Sequence, residues 1–278
     1  MLAPIGRRLV EVADNRASGA YRIFNAVDRD GPEPRAGQFY MLAGGEHWGS
    51  LDGRPFLPRA FSVAQASAGD AGITLEFLVE GVGPGTEHLA ALESADGLWI
   101  TGPLGRPFST PAELDGEVAG AILVGGGIGI APLAIWRSQL ARMGVPTRVL
   151  LGFRDRAHSG GLDLFDCSEL RLASEDGHAG HRGLVTDLLS VLLEGDDAAS
   201  AAVYACGPPA MLEAVRAMSA EGGVTTQLAM EAPMACGFGG CMGCAVPLAE
   251  GGYMRLCVDG PVVDASQIET ALVPGSGH

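Results

Sequence analysis

The chain has 278 residues, which is enough for two or three domains with buried cores. Its 33 acidic residues exceed its 18 lysines and arginines by 15, so the sequence lacks the basic footprint of a protein that binds nucleic acid or anionic lipid. The N-terminus has no apolar core of the signal-peptide kind, and clustered cysteines suit a reducing compartment. We therefore expect a cytoplasmic protein.

Residues 1–110 are predicted to form an antiparallel β-barrel. Short strand-like runs are separated by Gly, Pro, Asn and Asp, and no long helical pattern interrupts them before residues 86–92. Regularly spaced short strands with turn signals between them are typical of barrels. The predicted strands are 11–13, 21–24, 38–42, 60–63, 73–79 and 98–101.

Residues 111–228 alternate predicted strands with predicted helices, which favours βαβ units and a parallel sheet. The uncharged stretch 118–136 approaches the length of a membrane-spanning helix, but it contains five glycines and Pro132. That punctuation indicates a strand, a turn and the start of a buried helix, so no membrane span is expected. The predicted strands are 121–124, 148–153, 170–174 and 202–206, with helices such as 133–143 and 211–218 between them.

Two loops at the carboxyl ends of these strands are candidates for a dinucleotide site. The glycines of residues 125–129 follow a strand and open a helix, a context in which backbone N–H groups receive a pyrophosphate. Ile130 stands where the fingerprint has its third glycine, so a tight turn without a ligand is the alternative. Cys206 follows the fourth strand, and its alternative is a buried structural sulfur. The predicted nucleotide contacts are Gly125, Gly126, Gly127, Gly129, Cys206, Gly207 and Pro208.

Two short motifs in the barrel segment suit a phosphorylated ligand. Arg59 and Ser62 place a guanidinium and a hydroxyl on one strand, which suits phosphate or ring carbonyl oxygens. Gly85 and Thr86 lie at the start of a predicted helix, which suits a second phosphate contact. The alternatives are a surface charge at Arg59 and an N-cap at Thr86.

Residues 229–278 are predicted to form a small cluster-binding lobe. Four cysteines have the spacing C-x4-C-x2-C followed by twelve residues and a fourth cysteine, which is the ligand pattern of a [2Fe–2S] cluster. A zinc site, which more often pairs two C-x2-C units, and a disulfide framework are the alternatives. Glycines inside the loop let the backbone wrap the cluster and direct N–H groups at its sulfurs. The predicted ligands are Cys236, Cys241, Cys244 and Cys257, and the loop glycines are Gly237, Gly239, Gly240 and Gly243.

The order of these motifs resembles the ferredoxin-reductase superfamily. It is most similar to the electron-transfer subunits of the NAD-linked, two-subunit dihydroorotate dehydrogenases. The resemblance covers nearly the whole chain. It is carried by PRAGQFYML, LPRAFSV, VGPGTEHL, TGPLGRPF, SEDGHAGHRGLVTDLL, YACGPPAML and MEAPMACGFGGCMGCAVPL. Phthalate dioxygenase-type reductases are also similar, but they hold the cluster in a ferredoxin domain of roughly a hundred residues. About fifty residues remain here after residue 228.

The resemblance implies a multi-domain β plus α/β fold: a flavin-binding barrel, a Rossmann-like sheet domain and a C-terminal [2Fe–2S] lobe. It also implies FAD, [2Fe–2S] and NAD as cofactors, with the four cysteines as cluster ligands. Carried over onto this sequence, the FAD contacts are Arg59, Ala60, Phe61, Ser62, Leu78, Val79, Glu80, Gly85 and Thr86.

The implied function is an oxidoreductase subunit of pyrimidine biosynthesis that passes electrons from a partner through the cluster and FAD to NAD+. The sequence has no recognisable second flavin barrel or base for dihydroorotate. We therefore expect an FMN-containing catalytic subunit as partner, in a heterotetramer. The alternatives are a small subunit of an NAD(P)H:ferredoxin or bifurcating oxidoreductase, and a zinc-stabilised binding module without activity. Residues 154–156 (Arg-Asp-Arg) suit either a 2′-phosphate or a free ribose. The six histidines show no ligand spacing and are expected to be surface or structural.

Overall fold

In the computed structural model, which describes residues 6–49, 56–165, 168–195, 200–273 and 275, the first six strands close into a barrel. All strand pairs in it are antiparallel, and the order around the barrel is β1-β2-β5-β4-β3-β6. The elements are β1 Arg7–Ser18, β2 Tyr21–Asp28, β3 Phe39–Gly44, β4 Arg59–Gly69, β5 Gly72–Glu80, α1 Pro84–Ala90 and β6 Gly97–Leu104.

Aromatic side chains from neighbouring strands fill the barrel interior. The ring centroids of Phe24 and Phe77 lie 5.5 Å apart, and the ring of Tyr40 meets Phe77 edge-on at 5.8 Å. An ion pair closes one end, because Arg8 donates to the buried carboxylate of Asp28 at 2.7 Å. A buried charge is tolerated when it is paired and hydrogen-bonded in this way. The buried core of the barrel is continuous with that of the sheet that follows it, through residues such as Leu123 and Ile135.

A seven-stranded sheet follows, in the order β10-β9-β8-β7-β11-β12-β15, where β15 is Val262–Asp264, and every pair is parallel except β12 and β15. All four predicted strands and both predicted helices of this segment are present, and α3, β10 and β12 are additional. The elements are β7 Gly120–Gly126, α2 Ala131–Arg142, β8 Thr147–Phe153, β9 Leu170–Ser174, β10 His181–Arg182, α3 Val185–Leu193, β11 Ala201–Cys206, α4 Pro209–Gly222 and β12 Thr226–Ala229.

Helix α2 joins the sheet to the barrel. It packs against β4, and the side chains of Gln65 and Ser138 meet across this contact at 3.4 Å. The Ala36 backbone N–H also donates to the Gln139 side chain at 3.3 Å. Every residue from Ala131 to Trp136 is buried, so the first half of the helix belongs to the core. The uncharged stretch 118–136 thus forms a strand, a glycine turn and a buried helix start, as expected.

The C-terminal segment is bonded into the same sheet. Its elements are β13 Ala245–Pro247, β14 Tyr253–Arg255, α5 Leu256–Asp259 and β15 Val262–Asp264. Strands β13 and β14 form a small hairpin, as the sequence predicts for residues 245–256, and β15 pairs antiparallel with β12. The buried Gln227 side chain accepts from the Ser109 N–H at 2.9 Å and donates to Asp264 at 3.0 Å. The segment is therefore attached to both other parts of the chain.

Among the residues that the structure describes, no helix combines the length and the apolar character that crossing a bilayer requires.

Candidate functional site

A cleft of about 410 Å³, the barrel cleft, opens where the barrel meets the sheet and the C-terminal segment. Residues 230–234 of the C-terminal segment form one wall of it. Seven of the nine predicted FAD contacts line it, namely Arg59, Ala60, Phe61, Ser62, Leu78, Glu80 and Thr86. The structure thus brings these residues, which are distant in sequence, to one concave surface.

Val79 and Gly85 are placed differently from the other predicted contacts. Successive side chains of a strand point to opposite faces, so Val79 is buried in the core while its neighbours Leu78 and Glu80 face the cleft. Gly85 lies beneath the guanidinium of Arg59. A Cβ built on this glycine would lie 2.8 Å from Nη2 of Arg59. Its contribution is therefore the space that it leaves for the arginine.

Thr86 is the third residue of α1 and not its N-cap, which is Gly83, so the alternative of an N-cap at Thr86 is wrong. Its Oγ1 accepts backbone N–H bonds from Val82 at 2.9 Å and Gly83 at 3.1 Å at the start of α1. These bonds satisfy donors that a helix start leaves unpaired. Because Thr86 also lines the barrel cleft, the capping bonds fix the orientation of a hydroxyl-bearing residue at the cleft wall.

A second cleft of about 610 Å³, the sheet cleft, lies at the carboxyl ends of the parallel strands. This is the edge at which α/β sheets bind their ligands. Predicted contacts that line it are Gly126, Gly127, Gly129, Gly207 and Pro208, and it is also lined by Arg154, which the sequence analysis associated with the ribose or 2′-phosphate. Unpredicted residues at its wall include Tyr21, His158 and Glu175.

The glycines of the turn are required by close packing and by one backbone angle. A Cβ on Gly129 would lie 2.5 Å from Cα of Gly207, so the two predicted loops touch backbone to backbone. A Cβ on Gly125 would lie 2.8 Å from the Leu151 side chain, so this residue is a packing position rather than a cleft residue. Gly127 has φ +53°, which favours glycine.

Cys206 faces the barrel cleft and not the sheet cleft. Burial, and then the Glu231 carboxylate, raise the pKa of its thiol well above the usual range, which keeps the sulfur neutral at neutral pH. The prediction grouped it with the nucleotide contacts. Its side chain lies instead at the wall of the barrel cleft.

The two clefts join. Glu80, Val82, Ile128, Gly129 and Glu231 line both of them. Two carboxylates therefore stand at the junction, one from the barrel and one from the segment that leads into the cysteine lobe. Ligands bound in the two clefts would be in contact at this junction.

His158 is one of the side chains at these clefts that the sequence analysis did not assign to a site. Its Nδ1 lies 2.7 Å from Oδ1 of Asp155, and its Nε2 lies 3.3 Å from Oε1 of Glu80 on the barrel. The sequence signal available for it was the aspartate three residues earlier. The sequence analysis expected this histidine to be surface or structural, and it did not anticipate the contact with Glu80 on the barrel.

The four predicted cluster ligands converge as two pairs. Sγ of Cys244 lies 3.2 Å from Sγ of Cys257, and the Cys241 thiol is hydrogen-bonded to the Cys236 sulfur. The first pair is buried, whereas Cys236 is half-buried and Cys241 is exposed. Cys236 is close enough to influence Cys257 electrostatically. A four-thiolate [2Fe–2S] cluster places two ligands on each iron, which suits two pairs.

Backbone N–H groups point at these sulfurs. Gly240 N–H donates to Cys236 at 3.3 Å, and Cys257 N–H donates to Cys244 at 3.4 Å. Burial tends to raise the pKa of the Cys236 thiol, but hydrogen bonds, led by the Phe238 N–H, outweigh it and lower the pKa to about 6. Burial, followed by the neighbouring Cys244 thiol, raises the pKa of Cys257 to about 12. Cys236 thus favours the anionic thiolate, and Cys257 favours the neutral thiol until a metal displaces its proton.

Two loop glycines are needed for this arrangement. Gly237 has φ +79°, and a Cβ on it would lie 2.6 Å from Cγ of Met41 in the barrel. Gly239 has φ +84° and would meet Val258 at 2.8 Å. Across the described part of the chain, no three His, Cys, Asp or Glu side chains converge on one metal ion.

Comparison with known proteins identifies the family. The family model for the iron-sulfur cluster binding domain of dihydroorotate dehydrogenase B matches residues 231–269. The chain is 34% identical over 242 residues to the dihydroorotate dehydrogenase B (NAD(+)) electron transfer subunit of Caldanaerobacter subterraneus, covering 86% of this chain and 88% of that protein. The chain belongs to the family of dihydroorotate dehydrogenase B electron transfer subunits. It is also 34% identical over 269 residues to the probable subunit of Methanopyrus kandleri, with 93% and 90% covered.

Solved structures share the fold of this family member. A chain of the NADH-dependent reduced ferredoxin–NADP oxidoreductase, studied for flavin-based electron bifurcation, matches with a TM-score of 0.76 and 24% identity, covering 95% and 91% of the two chains. Phthalate dioxygenase reductase matches with a TM-score of 0.61 and 18% identity over 96% of each chain. The predictions of the family, of a barrel, parallel sheet and cluster lobe, and of an oxidoreductase subunit are confirmed.

Proposed function

We propose that this chain carries electrons between a [2Fe–2S] cluster in the cysteine lobe, FAD in the barrel cleft and NAD in the sheet cleft. The observation that carries the proposal is the junction of the two clefts at Glu80 and Glu231. FAD and NAD bound in clefts that share a wall would lie side by side, as direct electron transfer between them requires. The cysteine lobe supplies residues 230–234 to the same wall and so adjoins the barrel cleft.

The residues of the barrel cleft suit FAD. Arg59 offers a guanidinium held above Gly85 and steadied by its bond to the Leu57 carbonyl, and this fork matches a pyrophosphate oxygen pair. Ser62 would donate to the flavin ring, and Phe61 and Leu78 would cover its apolar part. Thr86 would hold the loop before α1 in place. The nine predicted contacts remain the proposed FAD site, with Val79 and Gly85 as supporting positions.

The glycine turn and the Gly207–Pro208 loop suit NAD. They bring bare backbone to the carboxyl edge of the sheet, where a pyrophosphate can approach N–H groups closely. Gly125 would support the turn by packing, and Cys206 would border the nicotinamide from the barrel side. Glu175 also lines this cleft, and its carboxylate would disfavour the 2′-phosphate of NADP. These residues make NAD the proposed nucleotide.

The four cysteines would ligate the cluster as the pairs Cys236/Cys241 and Cys244/Cys257. When bound, the cluster exchanges single electrons and a flavin exchanges one or two, which joins one-electron transfer to the two-electron chemistry of NAD. The chain's own residues hold, orient and shield these groups. The proposed domains are residues 1–110 for FAD, 111–228 for NAD and 229–278 for the cluster.

The proposed partner is an FMN-containing dihydroorotate dehydrogenase catalytic subunit, joined to this chain in a cytoplasmic heterotetramer that serves pyrimidine biosynthesis. The names of the relatives, which are electron transfer subunits, support a separate catalytic subunit. The described clefts offer glycine turns and an arginine fork, which suit nucleotides rather than a second substrate. Dihydroorotate oxidation is therefore assigned to the partner.

The first test uses the full chain purified without oxygen. It should contain flavin, iron and acid-labile sulfide, and NADH should bleach its visible spectrum. It should reduce artificial acceptors with NADH but should not turn over dihydroorotate alone. Colourless protein without iron would contradict the proposal, and turnover of dihydroorotate by the isolated chain would remove the need for a partner.

The second test separates the proposal from an NAD(P)H:ferredoxin or bifurcating oxidoreductase subunit. The fold alone does not distinguish them, because the likeness to the bifurcating enzyme is structural. The chain is mixed either with a dihydroorotate dehydrogenase catalytic subunit or with ferredoxin, and NADH formation or consumption is followed. Dihydroorotate-dependent NADH formation with the first partner supports the proposal, and activity with ferredoxin only would contradict it.

A further inference from the structure

Tyr21 is a barrel residue that reaches the sheet cleft. It is the first residue of β2 and pairs with Glu80, the last residue of β5, and both of them line the sheet cleft together with Val82. The other residues that line this cleft belong to the α/β part of the chain or to the segment that leads into the cysteine lobe. Tyr21 is not among the described residues that line the barrel cleft. The barrel therefore contributes a phenol to the wall that we assign to the nucleotide.

Packing fixes the ring of Tyr21, which is buried. A Cβ built on Gly160 would lie 3.0 Å from Cδ2 of the ring, so the loop after β8 packs directly against it. The imidazole of His158, on the same loop, meets the ring edge-on with the centroids 6.1 Å apart. That loop is itself held to the barrel, because the Ala20 N–H donates to the Ala157 carbonyl at 2.6 Å. A ring enclosed in this way keeps one orientation, so the direction of its hydroxyl is fixed.

The Tyr21 hydroxyl lies at the glycine turn. A Cβ built on Gly127 would lie 3.7 Å from the phenolic oxygen. In the described part of the chain, no other atom beyond the adjacent residues comes within 4 Å of that position. Gly127 also lines the sheet cleft, so the space beside the turn is open except for this hydroxyl. A ligand group that fills this space reaches the hydroxyl and the turn together.

The hydroxyl of Tyr21 has no hydrogen-bond partner among the described residues. The comparable phenol of Tyr204 donates to the Ser109 carbonyl at 2.9 Å. The Tyr40 hydroxyl also lacks a partner, but it is fully buried, whereas Tyr21 lies at a cleft wall. Burial, and then the Glu80 carboxylate, raise the pKa of Tyr21, so its phenol keeps the proton at neutral pH and remains a donor. An acceptor on a bound ligand would satisfy this donor.

We propose that Tyr21 is a nucleotide-binding residue whose hydroxyl donates to a pyrophosphate oxygen of NAD at the glycine turn. This inference rests on the proposed function, which assigns NAD to the sheet cleft and its pyrophosphate to the turn. A phosphate oxygen is a charged acceptor, and hydrogen bonds to charged acceptors are stronger than neutral ones. The turn offers backbone N–H groups from the sheet, and Tyr21 adds a donor from the barrel. The pyrophosphate is then held by both parts of the molecule, next to the junction of the clefts.

The chain offers a matched control in the same barrel. Tyr21→Phe removes the hydroxyl and keeps the ring that packs against Gly160. Tyr40→Phe also removes a phenolic hydroxyl from a buried barrel ring, but Tyr40 is not among the described residues that line either cleft. The Tyr40 hydroxyl has no partner, so its loss leaves no other group unsatisfied. The two variants therefore make the same chemical change with and without access to the sheet cleft.

The first readout is the affinity of the oxidised full chain for NAD+ and for ADP, measured by isothermal titration calorimetry. ADP keeps a diphosphate and lacks the nicotinamide and its ribose. Tyr21→Phe should weaken both ligands by the same factor, roughly ten- to a hundredfold, the scale of a hydrogen bond to a charged group. Tyr40→Phe should bind both like the natural chain. Unchanged affinities in Tyr21→Phe, an equal loss in Tyr40→Phe, or a loss for NAD+ with unchanged ADP would each overturn the proposal.

Hydrogen exchange at the Ala20 amide guards against a packing defect, because this amide donates to Ala157 on the loop that covers the Tyr21 ring. Its protection should be the same in Tyr21→Phe and in the natural chain, since the ring is kept. The flavin content should also be the same, since Tyr21 is not among the described residues of the barrel cleft. Weaker binding accompanied by loss of Ala20 protection would overturn the proposal and assign the effect to packing.

The functional readout is the reduction of bound flavin by NADH. Loss of a contact that is made equally before and during the reaction raises the half-saturating concentration and leaves the limiting rate unchanged. Tyr21→Phe should therefore need roughly ten- to a hundredfold more NADH, with a limiting rate within about twofold of the natural one. If Tyr21→Phe weakens NAD+ and ADP but NADH does not reduce the flavin of the natural chain, the proposed function fails and the Tyr21 contact stands. If both chains reduce flavin with the same half-saturating concentration, the Tyr21 contact fails and the proposed function stands.

Discussion

The barrel and the cysteine lobe are built on different physical grounds. The barrel closes six strands around fully buried rings such as Phe24 and Phe77, so apolar burial determines its conformation. The described strands of the lobe have three residues each, Phe238 and Met242 are about half exposed, and Met242 has a positive φ. Units this small usually need a metal to fold stably. The comparison teaches that the barrel is determined by burial of its side chains, whereas the exposed half of the lobe would be stabilised by a bound cluster.

The lobe itself is divided. Cys244 and Cys257 lie in a core shared with Met230 and with Phe39 and Met41 of the barrel, whereas Cys241 is on the surface. The buried half can therefore keep its place without a guest. The exposed half has backbone N–H bonds to sulfur as its main restraint.

The largest expected difference between the barrel and the lobe follows from loss of the cluster. Cys241→Ser removes one ligand at the exposed half, so iron and sulfide should be lost while flavin is retained. Hydrogen exchange should then rise in residues 236–244 and stay unchanged in β5, because the barrel core does not depend on the cluster. Iron analysis and hydrogen exchange check both halves of this expectation.

The control for this prediction is Cys206→Ser, which alters a cysteine outside the lobe and should keep the full iron content. Removing iron from the natural chain with a chelator should reproduce the exchange pattern of Cys241→Ser. Loss of barrel protection in either experiment would mean that the two regions are not independent.

A smaller effect separates backbone strain from packing at the border between the regions. Gly237→Ala should destabilise the lobe by about 2 to 4 kcal/mol, since it combines a left-handed conformation with a collision against Met41. Gly251→Ala has a similar φ of +88° but open space around it, so strain alone should cost about 1 kcal/mol. Urea unfolding of the two variants measures the difference. Equal costs would show that the Met41 contact contributes nothing.

The smallest effect concerns the end of the lobe. Glu213 on α4 accepts hydrogen bonds from Arg216, Thr270 and the Ala271 N–H, and these bonds, with that of Arg216 first, lower its pKa to about 2. Because the folded pKa is depressed, the stabilisation is complete above about pH 4.5 and is lost as the pH falls toward 2. Glu213→Gln should cost about 1 to 2 kcal/mol at pH 7 and less at pH 3.

Urea unfolding at the two pH values tests this expectation, with Glu221→Gln on the same helix as the control. That exposed glutamate should change stability by no more than about 0.5 kcal/mol. A Glu213→Gln cost that is the same at pH 3 as at pH 7 would assign the effect to packing rather than charge.

Elements with strong patterns were predictable from the sequence. The expected strand 170–174 coincides with β9, and 73–79 differs from β5 by one residue at each end. Strand β1 is longer than predicted, because its exposed polar residues hide the alternation at both ends. Strands β12 and β15 were missed because four and three residues are too few to show a period.

Most of the predicted site residues line the two clefts, but the directions of their side chains were less predictable. Strand alternation could have shown that Val79 points away from Leu78 and Glu80. The motif around Cys206 identified a strand end but could not show which cleft the sulfur faces. His158 was not predictable, because its contact with Glu80 joins residues 78 positions apart through the packing of two domains.

Because β15 pairs with β12, the lobe contributes the edge strand of the seven-stranded sheet, and Gln227 of β12 donates a hydrogen bond to Asp264 of β15. A mobile lobe that moves between redox partners would need a flexible linker between the lobe and the sheet, whereas here the two are joined by backbone hydrogen bonds between β12 and β15. The cysteine lobe and the sheet are thus held at a fixed distance from each other, which suits electron transfer between groups bound to them. A subunit that docks near the thiols would not change this distance, because the pairing of β12 with β15 fixes it before docking takes place.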